Sequence, residues 1–87
     1  MKIREDFILR KVAGQNLVVP TGSNTMNFNA AITLNESAAF LWNQLSEDKT
    51  EEQLTKLMTQ EYNIDEATAK TDITVFLNVL KENGILE

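Results

Sequence analysis

The sequence predicts an α+β fold in which a three-stranded antiparallel sheet is followed by three helices. Turn-forming residues divide the first 34 residues into short apolar runs, and the last of these runs alternates strictly between apolar and polar residues. From residue 36 onward the apolar residues recur at helical spacing. The chain has 87 residues, of which 43% are hydrophobic, so we expect residues 1–87 to form a single domain with a modest core.

The first two strands are predicted to form a hairpin. Residues 7–12 are rich in apolar and β-branched side chains, although their alternation breaks at Val12, which a β-bulge would reconcile. Residues 13–16 are turn-forming, and residues 17–19 return as the second strand. Pro20 has no N–H to donate to a sheet, so the chain is expected to leave the strand there.

The third predicted strand, residues 25–34, has the most regular alternation in the chain. Its apolar side chains occupy the even positions, namely Met26, Phe28, Ala30, Ile32 and Leu34. One face of this strand would therefore pack on a core while the other meets water. A tight turn at Asn29 and Ala30, which would fold the run into a short hairpin, is the alternative.

Each of the three helices has a predicted start. Asn35 caps a first helix over residues 36–45, and Thr50 and Gln53 form a capping box for the second. Asp65 caps a third helix, which Gly84 ends by taking the left-handed conformation. The predicted core faces are Ala38, Leu41, Trp42 and Leu45 in the first helix, and Leu54, Leu57, Met58 and Tyr62 in the second.

The third helix has more apolar surface than one packing partner requires. Its core stripe consists of Ala69, Ile73, Phe76, Leu77 and Leu80. Val75 and Val79 lie beside that stripe, on a flank that they share with Thr68 and Asp72. At about 100° per residue the apolar arc spans about 200°, roughly twice the width of a one-sided helix. The sheet, a second copy of the chain in a homodimer, or a ligand would cover this flank.

A small sheet packed against three helices is a winged helix-turn-helix-like arrangement. If residues 25–34 form an edge strand beside the third helix, their backbone edge and the flank of Val75, Phe76 and Val79 are two walls of one groove. An extended peptide could add there as a further strand. Asp72 is the one acid on this flank, where it would either attract a basic residue of the peptide or be solvated.

Composition argues against an enzyme. The chain has no histidine and no cysteine, so the commonest general base and the thiolate nucleophile are both missing. It also has no glycine-rich phosphate loop and no cluster of metal ligands, so we predict no catalytic residue, no metal site and no cofactor. The N-terminal region has no apolar run long enough for a signal peptide or a membrane span, and we expect a soluble cytoplasmic protein without a membrane partner.

Charge argues against DNA binding, the main rival function for a winged-helix-like fold. The net charge is −5, and residues 35–87 carry four basic residues against eleven acidic ones. The third helix contributes only Lys70 and Lys81, whereas phosphate contacts need a basic surface. We therefore expect no nucleic-acid partner. A domain that docks onto a larger protein through the groove is a further alternative.

Several runs of the sequence resemble the PqqD family, named after pyrroloquinoline quinone synthesis protein D. These runs are FILRKVAGQNLVVPTG, ITLNESAAFLW, TEEQL, EYNID and FLNVLKENGIL, which together extend over nearly the whole chain. The most specific of them is the pattern L-N-E-S-A-x-F-L-W at residues 34–42. The family overlaps with the recognition elements for ribosomally made, post-translationally modified peptides.

The resemblance implies a winged-helix-like peptide chaperone. Members of the family bind the leader of a precursor peptide between the third strand and the third helix, and they present it to a modifying enzyme, often a radical S-adenosylmethionine enzyme. The resemblance does not imply that pyrroloquinoline quinone is the product. Carried over to this chain, the peptide-binding residues would be Thr25, Met26, Asn27, Phe28, Asn29, Ala30, Ala31 and Ile32 on the strand, and Asp72, Val75, Phe76 and Val79 on the helix.

Overall fold

The computed structural model describes residues 1–21 and 32–87 of the chain. Three strands precede three helices, which confirms the predicted α+β class and the order of its elements. The strands are β1 (Phe7–Val12), β2 (Gln15–Pro20) and β3 (Ile32–Leu34); the helices are α1 (Glu36–Gln44), α2 (Glu51–Tyr62) and α3 (Glu66–Glu82). The sheet is antiparallel with the strand order β1-β2-β3.

The β1–β2 hairpin is tighter than the sequence predicted. Val12 pairs with Gln15, so the loop consists of Ala13 and Gly14 alone, rather than residues 13–16. Both loop residues have positive φ, 51° and 79°, as a two-residue type I′ turn requires. The pairing is unbroken from the Phe7–Pro20 pair to the Val12–Gln15 pair, so no bulge is needed. Val12 breaks the alternation because it lies on the sheet face opposite the core and is exposed.

Asn16 shows why β2 begins earlier than predicted. Turn-forming residues are usually exposed, but Asn16 is buried within β2. Its side-chain amide donates hydrogen bonds to the Leu34 carbonyl oxygen and to Glu36 Oε1, both at 3.3 Å. Asn16 therefore ties β2 to the end of β3 and to the first turn of α1.

Among residues 1–21 and 32–87, strand β3 is an edge of the sheet. Its residues Ile32–Leu34 pair with residues 16–18 of β2. The rest of the predicted third strand, residues 25–31, lies outside the described residues, and so does the alternative turn at Asn29 and Ala30. The edge position of β3 is set by the strand order, in which β2 is central.

The predicted helix caps are present. The Asn35 side chain accepts a hydrogen bond from the Ala38 N–H, and Thr50 and Gln53 form the reciprocal capping box. The Asp65 side chain accepts from the Thr68 N–H at 2.7 Å, and its hydrogen bonds to Thr68 hold the pKa of this carboxyl below its ordinary value. Each cap satisfies backbone donors that a helix start leaves without a partner.

Helix α3 ends in a Schellman motif. Gly84 has φ +67°, its N–H donates to the Lys81 carbonyl oxygen, and the Ile85 N–H donates to the Leu80 carbonyl oxygen. Ile85 is fully buried against the last turn, as its position after Gly84 predicted. Beyond it, Leu86 forms an isolated antiparallel bridge with Ile3, which brings the N-terminal segment onto the end of α3.

The core lies between one face of the sheet and the three helices. All five residues of the predicted α3 core stripe are buried, and so are Leu41, Trp42, Leu45, Leu54 and Met58. Three predicted core residues differ: Ala38 and Leu57 are only partly buried, and Tyr62 is 38% exposed. Tyr62 lies at the periphery because its ring packs edge-on against Phe40, with the ring centroids 5.6 Å apart.

Candidate functional site

A groove runs between β3 and α3, with the start of α1 at its base. Its volume is about 380 Å³, within the range of small-ligand and peptide sites. Three elements line it: Ile32, Thr33 and Leu34 from β3, Asn35, Ser37, Ala38 and Leu41 from the start of α1, and Asp72, Val75, Phe76 and Val79 from α3.

The α3 wall of the groove is a single stripe. Its four residues are spaced i, i+3, i+4 and i+7 from Asp72, which puts them on one face of the helix. Phe76 is buried and anchors this face to the core. Val75, by contrast, is 61% exposed, although an aliphatic side chain gains free energy by leaving water. The stripe therefore passes from core to groove wall without a break.

The opposite wall is a strand edge. Within residues 1–21 and 32–87, β3 pairs with β2 only. In an antiparallel pair, alternate residues of an edge strand direct their N–H and C=O groups away from the neighbouring strand. The wall thus offers main-chain hydrogen-bonding groups at the place where α3 offers apolar side chains.

The base of the groove is built by the first turn of α1. Asn35 caps this helix, because its Oδ1 accepts hydrogen bonds from the Ala38 N–H at 2.8 Å and from the Ser37 hydroxyl at 3.0 Å. The small side chains of Ser37 and Ala38 leave room above the buried Leu41. The capping geometry therefore fixes the base of the groove while the side chains leave it open.

Helix α2 braces the same turn of α1 from behind. The Tyr62 hydroxyl donates to the Glu36 carbonyl oxygen at 3.4 Å, and Asn16 reaches the Glu36 carboxylate from the sheet. Partial desolvation is the main reason why the pKa of Tyr62 is raised above 10.0. The hydroxyl remains a neutral donor at neutral pH, so this contact is retained.

Asp72 supplies the charge of the groove. Among the described residues that line the groove, it is the one ionisable residue. The positions three and four residues away on α3 are Thr68, Ala69, Val75 and Phe76, none of which is basic. The nearest basic residue along the helix, Lys70, is paired with Glu66 at 3.1 Å. The carboxylate of Asp72 therefore faces the groove opening without an ion-pair partner among the described residues.

The structure brings five of the sequence-predicted residues to this groove: Ile32, Asp72, Val75, Phe76 and Val79. Residues 25–31 lie outside the described part of the chain, and their contribution stays a prediction. Sequence reasoning missed Thr33, Leu34, Asn35, Ser37, Ala38 and Leu41. The available signal is the pair of small residues after the Asn35 cap, of which Ala38 is predicted above to face the core.

Two other kinds of site are absent from the described part of the chain. No group of three or more acidic, histidine or cysteine side chains there could hold a metal ion. No helix among residues 1–21 and 32–87 combines the length and the apolar character needed to cross a membrane.

Comparison with known families identifies the chain's relatives. The family model described as "Coenzyme PQQ synthesis protein D (PqqD)" matches residues 17–86. The chain belongs to the PqqD family. This match confirms the resemblance carried by the L-N-E-S-A-x-F-L-W pattern, which lies within the matched residues. No curated protein sequence matches the chain significantly.

Two solved structures share the fold of this PqqD-family chain. One is described as "TbiB1 in Complex with the TbiA(beta) Leader Peptide"; it is 22% identical, with a TM-score of 0.78, over 100% of this chain and 95% of that one. The other is "Lasso peptide synthetase B1 complexed with the leader peptide"; it is 21% identical, with a TM-score of 0.74, over 99% of this chain and 95% of that one. At these identities the likeness shows a common fold.

Proposed function

We propose that this chain is a non-catalytic recognition domain, which binds the leader of a ribosomally made precursor peptide as a strand added to β3. The observation that carries the proposal is the groove itself, in which a sheet edge lies beside the partly exposed apolar stripe of α3. Membership of the PqqD family supports it. So does the presence of leader peptides in both structures that share its fold.

The two walls of the groove would contribute differently to binding. An added strand gains main-chain hydrogen bonds from the edge of β3, which do not depend on the peptide's sequence. Side chains of the peptide would cover Val75 and Val79, and this contact provides the apolar free energy and part of the specificity. Residues 25–31 would extend the edge toward the N-terminal side of β3.

The partner that receives the bound leader is proposed to be a modifying enzyme, such as a radical S-adenosylmethionine maturase, in the cytoplasm where ribosomal precursors are made. This part of the proposal rests on the family. A duplex-DNA function is not favoured, because Asp72 faces the groove and Lys70 is already paired with Glu66.

Charged substitutions in the α3 wall test the site. Val75→Lys or Val79→Lys places an ammonium group where the peptide's apolar side chains would pack, so we expect at least about a tenfold rise in Kd. The probe is a set of fluorescein-labelled leader segments from short precursor genes that neighbour the chain's own gene, and the readout is fluorescence anisotropy. Val75 is exposed, so its replacement should leave the circular dichroism spectrum and the melting temperature unchanged.

Asn78→Lys is the matched control. It adds the same charge to the same helix, at an exposed position that does not line the groove. The control should bind the leader segments as the unchanged chain does. Equal affinity of the Val75→Lys, Val79→Lys and Asn78→Lys variants would reject the groove as the binding site. Phe76→Ala is less informative because it would also open a core cavity that costs about 3–5 kcal/mol.

A further inference from the structure

We propose that the groove selects leaders in which a lysine or arginine lies two positions away from a large apolar residue. This inference rests on the proposed function and adds a substrate class to it. It is carried by the carboxylate of Asp72, which has no ion-pair partner among the described residues and is the one charged group among the described residues that line the groove.

A bound peptide would change the surroundings of the Asp72 carboxylate. A peptide strand that fills the groove removes water from around Asp72, and a carboxylate that loses water without gaining a partner is disfavoured. The described residues supply no such partner, since Lys70 is engaged with Glu66. A basic side chain of the peptide would supply it, whereas an acidic side chain at the same place would be repelled.

The spacing of side chains along one face of α3 is close to the spacing along one face of an extended peptide. Asp72 and Phe76 are four residues apart, or about 6 Å along the helix axis at 1.5 Å per residue. Side chains on the same face of a strand are two residues apart, or about 6.8 Å. A peptide strand that runs along α3 would therefore present one side chain to Asp72 and the next on that face to Val75 and Phe76.

The proposed arrangement explains why the wall combines an exposed valine with an isolated acid. Val75 and Phe76 offer an apolar surface to one side chain of the peptide, and Asp72 offers a negative charge to the next side chain on the same face. A peptide with an apolar residue and a basic residue at these two positions makes both contacts. The main-chain hydrogen bonds to β3 hold the peptide as a strand but do not distinguish between peptides, so the side-chain contacts set the register.

The test is a selection from a displayed library of random twelve-residue peptides, carried out in parallel against three forms of the protein. The unchanged chain should enrich peptides with Lys or Arg two positions from an aliphatic or aromatic residue. Asp72→Lys should enrich Asp or Glu at that position instead. Glu82→Lys makes the same charge change at an exposed position outside the groove of the same helix, and it should retain the basic preference.

Affinity measurements then quantify the contact. Replacing the selected Lys of an enriched peptide by Gln should raise its Kd about two- to five-fold for the unchanged chain, as expected for a partly exposed ion pair. The same replacement should have no effect on binding to Asp72→Asn, which removes the charge but keeps the side-chain shape. Retention of the basic preference by Asp72→Lys would overturn the role of Asp72.

The failure of this inference is distinguishable from failure of the proposed function. If the selected peptides lose binding to Val75→Lys but show no charge preference, the groove binds peptides and the substrate class is wrong. If no enriched peptide is sensitive to Val75→Lys, the groove is not the binding site, and both proposals fall.

Discussion

At the scale of single residues, the side-chain amide of Asn16 has a large structural role. Its buried amide donates to Leu34 and Glu36, so one side chain connects the central strand to the edge strand and to the first turn of α1. Leu34 lines the groove, and Glu36 follows Asn35, the residue that caps α1. The position of the groove base therefore depends on a residue that does not itself line the groove.

Asn16→Asp is expected to destabilise the chain by about 1–3 kcal/mol. The introduced carboxylate at this buried position cannot donate a hydrogen bond, and it would face the Leu34 carbonyl oxygen and the largely exposed Glu36 carboxylate. Urea unfolding followed by circular dichroism measures the change. The double variant Asn16→Asp with Glu36→Gln should recover part of the loss, because the glutamine amide can donate to the new carboxylate. An unchanged free energy of unfolding in the single variant would contradict this role.

Asn16 also shows that local sequence patterns do not predict hydrogen bonds between residues that are distant in the chain. Asparagine is favoured in turns because its side chain bonds to nearby backbone. In this chain the two partners of the Asn16 side chain are 18 and 20 residues away. No local pattern contains that information, so the residue was predicted to lie in the turn.

At the scale of the elements, the hairpin loop holds Ala13 in the left-handed region; among the described residues, Asn63 is the other non-glycine residue there. Ala13 has φ +51°, in the left-handed region, where a side-chain Cβ crowds the backbone. Asparagine tolerates this conformation better than alanine, and Asn-Gly is a preferred pair for two-residue loops of this type.

Ala13→Asn is therefore expected to stabilise the chain by up to about 1 kcal/mol. The residue is exposed, so the substitution disturbs no core contact. Thermal and urea unfolding measure the effect. Gly84→Ala is the opposing case: nothing lies within 4 Å of the added Cβ, but φ there is +67°, and we expect a lower stability. A gain of stability in Gly84→Ala, or a loss in Ala13→Asn, would show that these loops take a different conformation.

The elements themselves were largely predictable from sequence, and the reason is physical. The caps at Asn35, Thr50 and Asp65 and the Schellman end at Gly84 depend on contacts within a few residues, so their patterns are visible locally. The α3 core stripe was predictable because its period is that of the helix. The partial exposure of Ala38 and Tyr62 depends on how α1, α2 and α3 meet, which local periodicity does not determine.

The candidate site also has one part that local sequence patterns predict and another that they do not. Asp72, Val75, Phe76 and Val79 follow from the excess apolar arc of one helix. The base of the groove, by contrast, arises where the end of β3 passes into α1 beside α3. Ser37 and Ala38 acquire their place there only through this tertiary contact.

At the scale of the whole molecule, charge is distributed unevenly between the N-terminal and the C-terminal part of the chain. Residues 1–34 carry four basic residues against two acidic ones, and residues 35–87 carry four against eleven. The groove lies at the junction, with its charged residue on the acidic side. The long-range field of the helical half would therefore attract a basic peptide before any contact forms.

Salt should reveal this attraction. The association rate constant of a lysine-containing peptide is expected to fall several-fold between about 0.05 M and 0.5 M NaCl, because the screening length shrinks to a few ångströms. Stopped-flow anisotropy measures the rate. A peptide with Gln in place of Lys is the control and should associate at a rate that salt hardly changes. Equal salt dependence for the two peptides would rule out long-range attraction as a contribution.

The exposure of Val75 has an evolutionary consequence. A side chain that forms part of the groove while contributing little to the core can mutate without unfolding the protein, and Asp72 is exposed in the same way. On the proposed function, gene duplicates of such a chain could diverge in the peptides they accept through changes at these two positions, while the buried Phe76 keeps the scaffold intact. Insulation between parallel biosynthetic routes in one cell would then require only a few mutations.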